Sequence, residues 1–171
     1  IVTTRTSEKK GVVSPVLLPD WAMLDAELTV VLPAHITAAT GIGAMVHAIE
    51  AYTTKHAKNI LSDTLARQAL ELRGGAIRTA CSNGEDRAAR SDMLLGSMLA
   101  GMAFANAPVA AVHALAYPLG GHFHVPHGLS NAHVLAHELW FNIAAALGAS
   151  QSGERPPIHF PELAGKSPKE I

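Results

Sequence analysis

Histidine is the residue type with the most chemistry to offer in this chain. Ten of the 171 residues are His, and six of those fall between 113 and 137. Three stand where a metal site could form. His47 lies in "GIGAMVHAIEAY" (41–52) with Glu50 three residues on, His113 in "AAVHALAYPLGG", and His127 in "HVPHG". Neutral imidazoles from separate elements are good ligands for Fe²⁺ or Zn²⁺. A catalytic metal needs about three protein ligands and an open position for a substrate oxygen. A carboxylate one helical turn before His47 would complete such a face, but the residue there is Gly43. Spacing alone leaves plainer readings open. A histidine on an apolar helix is commonly a satisfied core residue. His122, His124, His133 and His137 can be polar surface, and His133 and His137, at i and i+4, have a ligand spacing of their own.

These residues must be positioned by helices. From 37 to about 147 the apolar spacing is helical. The first helix is expected over roughly 38–54, with Thr37 or Thr40 as N-cap, and the second over 62–81, with Asn59 or Ser62 near its N-cap. A third is expected over about 86–105 after the turn "SNGED", a fourth over about 109–121, and a fifth from Ser130, with "HVPHG" as a loop between the last two. Gly74-Gly75 falls inside the second helix, at about 1 kcal/mol each relative to alanine, which suggests a kink or a tight contact. Residues 1–36 differ: "VVSPVLLPDWAMLDAELTVVLP" is proline-punctuated and rich in Val and Leu, and is read as short strands near 12–18 and 21–25. From about 148 the proline-rich tail is read as loop or linker.

Composition bounds the function. Apolar residues make up 49%, charged residues 16% and aromatics 5%, which points to a globular, mainly helical domain. The net charge of −1, without a basic run, argues against a nucleic-acid partner. The single cysteine, Cys81, gives no disulfide framework and suits a reducing compartment. No signal peptide is recognised, and the most apolar stretch, 93–112, is broken by Asn106 and Pro108. The expected location is cytoplasmic, without a membrane partner. No glycine-rich phosphate-binding motif is present.

Three strings carry a resemblance: "PDWAMLDAELTVVLP", "LPAHITAATGIGAMVHAIEAYTTKHAKNILSDTLARQAL", and "NGEDRAARSDMLLGSMLAGMAFANAPVAAVHALAYPLGGHFHVPHGLSNAHVLAHELWFN". Together, over about 12–143, they resemble the iron-containing (group III) alcohol dehydrogenases. The resemblance implies a helical bundle of the dehydroquinate synthase-like C-terminal type (37–147). A short β remnant of an α/β dinucleotide-binding domain (1–36) would precede it, and a divergent tail (148–171) would follow. It implies hydride transfer between an alcohol or aldehyde and NAD(P), with Fe²⁺ or Zn²⁺ acting as a Lewis acid on the substrate oxygen so that hydride can leave to nicotinamide.

By position, His47, His113 and His127 match the family's histidine ligands, and Glu50 matches a glutamate that supports them. Two departures stand out. The family's aspartate ligand, in a G-x-D-A-x-x-H pattern, is replaced by Gly43. A family histidine four residues after the one matching His113 is replaced by Tyr117, whose phenol is the candidate proton relay. The nucleotide-binding loop is expected in a domain that this chain lacks, and exposed apolar surface next to that domain would favour homo-oligomers. Two other readings accompany the first: a non-catalytic relative that binds metal weakly or serves as an interaction module, and a metal-independent branch such as the maleylacetate reductases.

Overall fold

A computed structural model describes residues 2–5, 9–12, 14–107 and 111–152. Five helices carry the described fold: α1 (Ala34–Thr53), α2 (Ile60–Ser82), α3 (Arg87–Asn106), α4 (Ala111–His122) and α5 (His127–Ser152). Ahead of them, β1 (Val2–Thr3) pairs antiparallel with β2 (Lys9–Lys10), and two 3₁₀ turns follow at Pro15–Leu17 and Ala26–Thr29. The class is mainly α, as the apolar spacing predicts.

Several boundaries differ from the sequence reading, each for a local reason. The helix α1 starts at Ala34, because Pro33 supplies the cap. Neither threonine caps it: Thr40 Oγ1 donates to the Ile36 carbonyl at 2.8 Å and Thr37 Oγ1 to Leu32 at 3.4 Å. Asn59 does cap α2, its side chain accepting from Ser62 N at 2.9 Å, and Asp86 caps α3 by accepting from Ala89 N at 2.9 Å. The helix α5 begins at His127, not Ser130, so "HVPHG" is only half loop. It also runs through 148 to Ser152, where a loop was expected; the remainder of the tail lies outside the described residues. Among the described residues of 12–18 and 21–25 there is no strand. The apolar side chains there stand in the open, Trp21 at 91% and Met23 at 94% exposure, with no neighbouring strand among the described residues to pair them. Helix α2 continues unbroken through Gly74 and Gly75, and an added Cβ at either would meet nothing within 4 Å, so the expected tight contact is absent.

Helix α1 is common to two halves. On one side it packs with α2 and α3, and on the other with α5, which in turn holds α4. The first half is built on alanine: Ala48, Ala51, Ala66, Ala69, Ala100, Ala103 and Ala107 form one cluster with Leu99. A buried methyl contributes only about 0.8 kcal/mol by transfer. These alanines therefore act mainly by letting helix backbones approach, so that dispersion contacts accumulate over the whole interface.

Close approach leaves carbonyls within reach of two buried arginines. Arg73 on α2 donates to the carbonyls of Gly41 (3.1 Å) and Thr40 (3.2 Å) on α1 and of Met93 on α3. Arg90 on α3 donates to Thr37 Oγ1 (2.7 Å), the Leu32 carbonyl (3.1 Å) and the Gly84 carbonyl (2.9 Å). Gly96 makes room for the first: a Cβ there would lie 2.5 Å from Arg73 Cγ.

The α1–α5 crossing is closer still. A Cβ on Gly128 would fall 2.0 Å from the Ala39 carbonyl oxygen, so only glycine lets the first turn of α5 rest on the backbone of α1. Among the described residues, no single helix is long and apolar enough to cross a membrane.

Candidate functional site

Helical periodicity puts His47 and Glu50, three residues apart on α1, on one face. That face meets α4 and the start of α5. Glu50 is fully buried, and its carboxylate accepts twice from His113 on α4. The backbone N–H of His113 donates to Oε1 at 3.3 Å, and its ring Nδ1 to Oε2. A buried carboxylate without such donors would cost several kcal/mol. This contact orients the ring and turns its Nε2 towards α5.

The His47 ring lies against the His113 ring, with centroids 4.4 Å apart and planes at 20°, and against Phe104 of α3 at 4.9 Å. Burial, and then the neighbouring His113, push the His47 pKa down to about 4, with His127 and Arg73 adding to this and Glu50 opposing it. His47 is therefore a neutral imidazole at neutral pH. The His127 ring stands 5.3 Å from that of His113, because Gly128 seats the α5 terminus on α1. Tyr117, one turn beyond His113 on α4, is half-buried, with its ring 6.2 Å from His127. Its hydroxyl lies 3.4 Å from where a Cβ on Gly11 would be.

The sequence reading passed over one member. Asn131, completely buried, sits one turn after His127 on the same face of α5. Its Nδ2 lies 3.2 Å from His113 Nε2 and 3.4 Å from His127 Nε2. The amide has two N–H groups, one for each imidazole lone pair. Its Oδ1 is buried and has no hydrogen-bond partner among the described residues. The i, i+4 spacing that drew attention to His133 and His137 would equally have found His127 and Asn131. Glu138, two turns further along α5 and also buried, has its carboxyl pKa raised by burial, with Asn142 pulling it back and Glu50 adding to the rise. His122, His124, His133 and His137 are exposed and take no part.

The chemistry of this cluster suits a divalent cation. It gathers three imidazoles, one of them neutral by burial and one oriented by a carboxylate, and Nε2 of two of them stands against a single amide nitrogen. Two imidazoles bound to one ion at about 2.1 Å have ring centres on the order of 5 Å apart, close to the 5.3 Å between His113 and His127. As the side chains stand, no three His, Cys, Asp or Glu residues among those described could hold an ion together; His47 is stacked on His113, and the Asn131 amide lies against the other two. Gly43, one turn before His47, offers space: a Cβ there would meet only the Gly128 Cα, at 3.7 Å.

Comparison with known proteins gives a consistent picture. The sequence model described as "Fe-containing alcohol dehydrogenase family, C-terminal" matches residues 37–155, past 143, where the resemblance was expected to end. The chain is 49% identical over 140 residues to long-chain-alcohol dehydrogenase 1 of Geobacillus thermodenitrificans, covering 82% of this chain and 35% of that protein. It thus spans about a third of that relative's length. The crystal structure of an iron-containing alcohol dehydrogenase from Thermotoga maritima superposes with a TM-score of 0.78 at 28% identity, over 86% of this chain and 40% of that one. Sulfoacetaldehyde reductase from Bifidobacterium kashiwanohense, solved in complex with NAD⁺, superposes with a TM-score of 0.65 at 30% identity, over 69% of this chain and 31% of that one.

Proposed function

Because the chain belongs to the Fe-containing alcohol dehydrogenase family, we propose that it provides the metal-binding half of an NAD(P)-linked alcohol dehydrogenase, with His47, His113 and His127 as the metal pocket. One observation carries this reading. Three histidines, distant in sequence and matched by resemblance to the family's ligand positions, come together in one partly buried cluster, 4.4 Å and 5.3 Å between successive ring centres. When bound, Fe²⁺ or Zn²⁺ supplies Lewis-acid polarisation of the alcohol or aldehyde oxygen.

The protein's own groups do the rest. Glu50 holds His113 by Nδ1, which orients the ring and turns Nε2 towards the cluster. Burial keeps His47 neutral, so that its lone pair is available at neutral pH. Tyr117, at the edge of the cluster beside His127, donates a hydrogen bond or relays the alcohol proton towards solvent. Residues 1–36 are assigned as the end of the nucleotide-binding domain that carries NAD(P). The exposed Trp21, Met23, Leu28 and Val31 support that assignment, as apolar surface that a larger domain would cover. Residues 37–147 are assigned as the helical metal-binding domain.

Gly43 favours a second reading, in which the pocket has lost its only anionic ligand and the chain is a non-catalytic or metal-independent relative. Metal content decides between the two. After anaerobic loading with Fe²⁺ or Zn²⁺, mass spectrometry of the purified chain is expected to give about one ion per chain, abolished by His47→Ala and by His113→Ala. Uptake unchanged in both variants overturns the metal pocket. No uptake in the wild type, with uptake restored in Gly43→Asp, selects the second reading.

A further inference from the structure

We infer that Asn131 is a latch that holds the histidine cluster closed against a metal ion, its amide nitrogen taking the two ring nitrogens that an ion would need. The inference rests on the three-histidine reading above and names what regulates that site.

The side chains as they stand do not fit an ion. Asn131 is completely buried, with Nδ2 at 3.2 Å from His113 Nε2 and 3.4 Å from His127 Nε2. An amide nitrogen gives hydrogens and has no lone pair to offer, so in that place it occupies both rings and ligates nothing. An ion shared by the two rings would need the same two nitrogens, at about 2.1 Å from each. Amide and ion exclude one another there. His47 is turned away from the task as well. Its ring is stacked on that of His113, with planes at 20° and centroids 4.4 Å apart. The lone pair of an imidazole lies in the plane of its ring, so those of two stacked rings run side by side and do not meet at one point. Among the described residues, no three His, Cys, Asp or Glu could hold an ion in this arrangement.

The side chains close on one another instead. Glu50 of α1 holds His113 of α4 by its backbone N–H and its ring Nδ1, and Asn131 of α5 ties His113 to His127. Three helices are joined by hydrogen bonds that need no ion. Binding then requires an opened state, in which Asn131 has left the rings and His47 has come off the face of His113. The observed affinity is the intrinsic one reduced by the fraction of chains so opened. This gives the latch a sign of its own. Losing a ligand weakens binding, losing a packing residue leaves it unchanged, and losing a latch tightens it.

The test measures Zn²⁺ affinity of the full 171-residue chain by competition with a chromophoric chelator, with circular dichroism to check folding and to follow thermal unfolding. Asn131→Ala is expected to bind Zn²⁺ roughly tenfold more tightly than wild type, or better. Without zinc its thermal midpoint is expected to fall below that of wild type, because the tie between His113 and His127 is lost. Added zinc is expected to raise the midpoint of the variant more than that of wild type.

A folded Asn131→Ala that binds zinc as wild type does, or more weakly, overturns the latch while the three-histidine pocket survives. Uptake by Gly43→Asp, with none by wild type or Asn131→Ala, also overturns it, because the missing carboxylate and not the amide then keeps the ion out. Uptake by none of the three removes the pocket reading and the latch together. If Asn131→Ala does not fold, Asn131→Ser, whose hydroxyl is too short to reach both rings, decides by the same comparison.

Discussion

Helix α1 faces two buried polar clusters, and they are built on opposite rules. Towards α2 and α3, Arg73 and Arg90 are buried at 3% and 2% exposure, and their N–H groups meet carbonyls and a hydroxyl at fixed distances. Every partner is backbone or an adjacent threonine, so the cluster is complete within the fold. Towards α4 and α5, Glu50, His113, Asn131 and His127 form a chain of side-chain contacts that leaves the Asn131 oxygen without a partner among the described residues. The first cluster ties helices together. The second joins side chains from α1, α4 and α5 to one another, with no backbone group closing it at the Asn131 oxygen among the described residues.

Changes that break this contrast should rank by how little the surroundings can yield. The largest effect is expected at the seat of the second cluster. Gly128→Ala drives a Cβ to 2.0 Å from the Ala39 carbonyl oxygen, a backbone atom that no rotamer change can move. A loss of more than about 3 kcal/mol is expected in urea denaturation, and a loss under about 1 kcal/mol would show that α5 is not seated there.

Next comes Arg73→Met, which keeps the apolar stem and removes the charged donors shared by α1 and α3. It is expected to cost roughly 3 kcal/mol without altering metal affinity; an equal loss of affinity would merge the two clusters into one. A pH series on the metal-free chain separates them further. The folded pKa of His47, about 4, lies below its ordinary value of 6.5. Between these values the unfolded chain binds more protons than the folded one, so stability is full above pH 6.5 and falls as pH drops through about 4. The full span is worth roughly 3 kcal/mol, and His47→Gln should flatten it. The smallest effect has the opposite sign: Gly74→Ala, in open space on α2, is expected to stabilise by about 1 kcal/mol, since nothing there needs a glycine.

The sequence made the helices legible because apolar spacing and caps such as Asn59 and Asp86 act locally. It misled where one residue has two uses. Thr37 looks like an N-cap, but its hydroxyl instead accepts from Arg90 at 2.7 Å, 53 positions away in the chain. Pro126 reads as loop, yet a proline just before a helix suits its first turn, and the Ser130 N–H donates back to its carbonyl at 2.9 Å. The Val- and Leu-rich run 12–18 reads as a strand, but a strand forms only where another can pair with it. Of the site, the three histidines were legible by type and by resemblance. Asn131 was not, because an asparagine on a helix looks like surface until the fold buries it.

The close seating of α5 on α1 has a consequence for how the site tolerates change. The gap between His47 and His127 is gauged by peptide against peptide, through Gly128 and Ala39, and not by any side chain in the core. Alanine and leucine positions elsewhere can drift and the helices around them can settle differently, while this gauge keeps its setting. Side chains around His47 and His127 can then change, at 43 as elsewhere, on a frame whose dimensions stay the same.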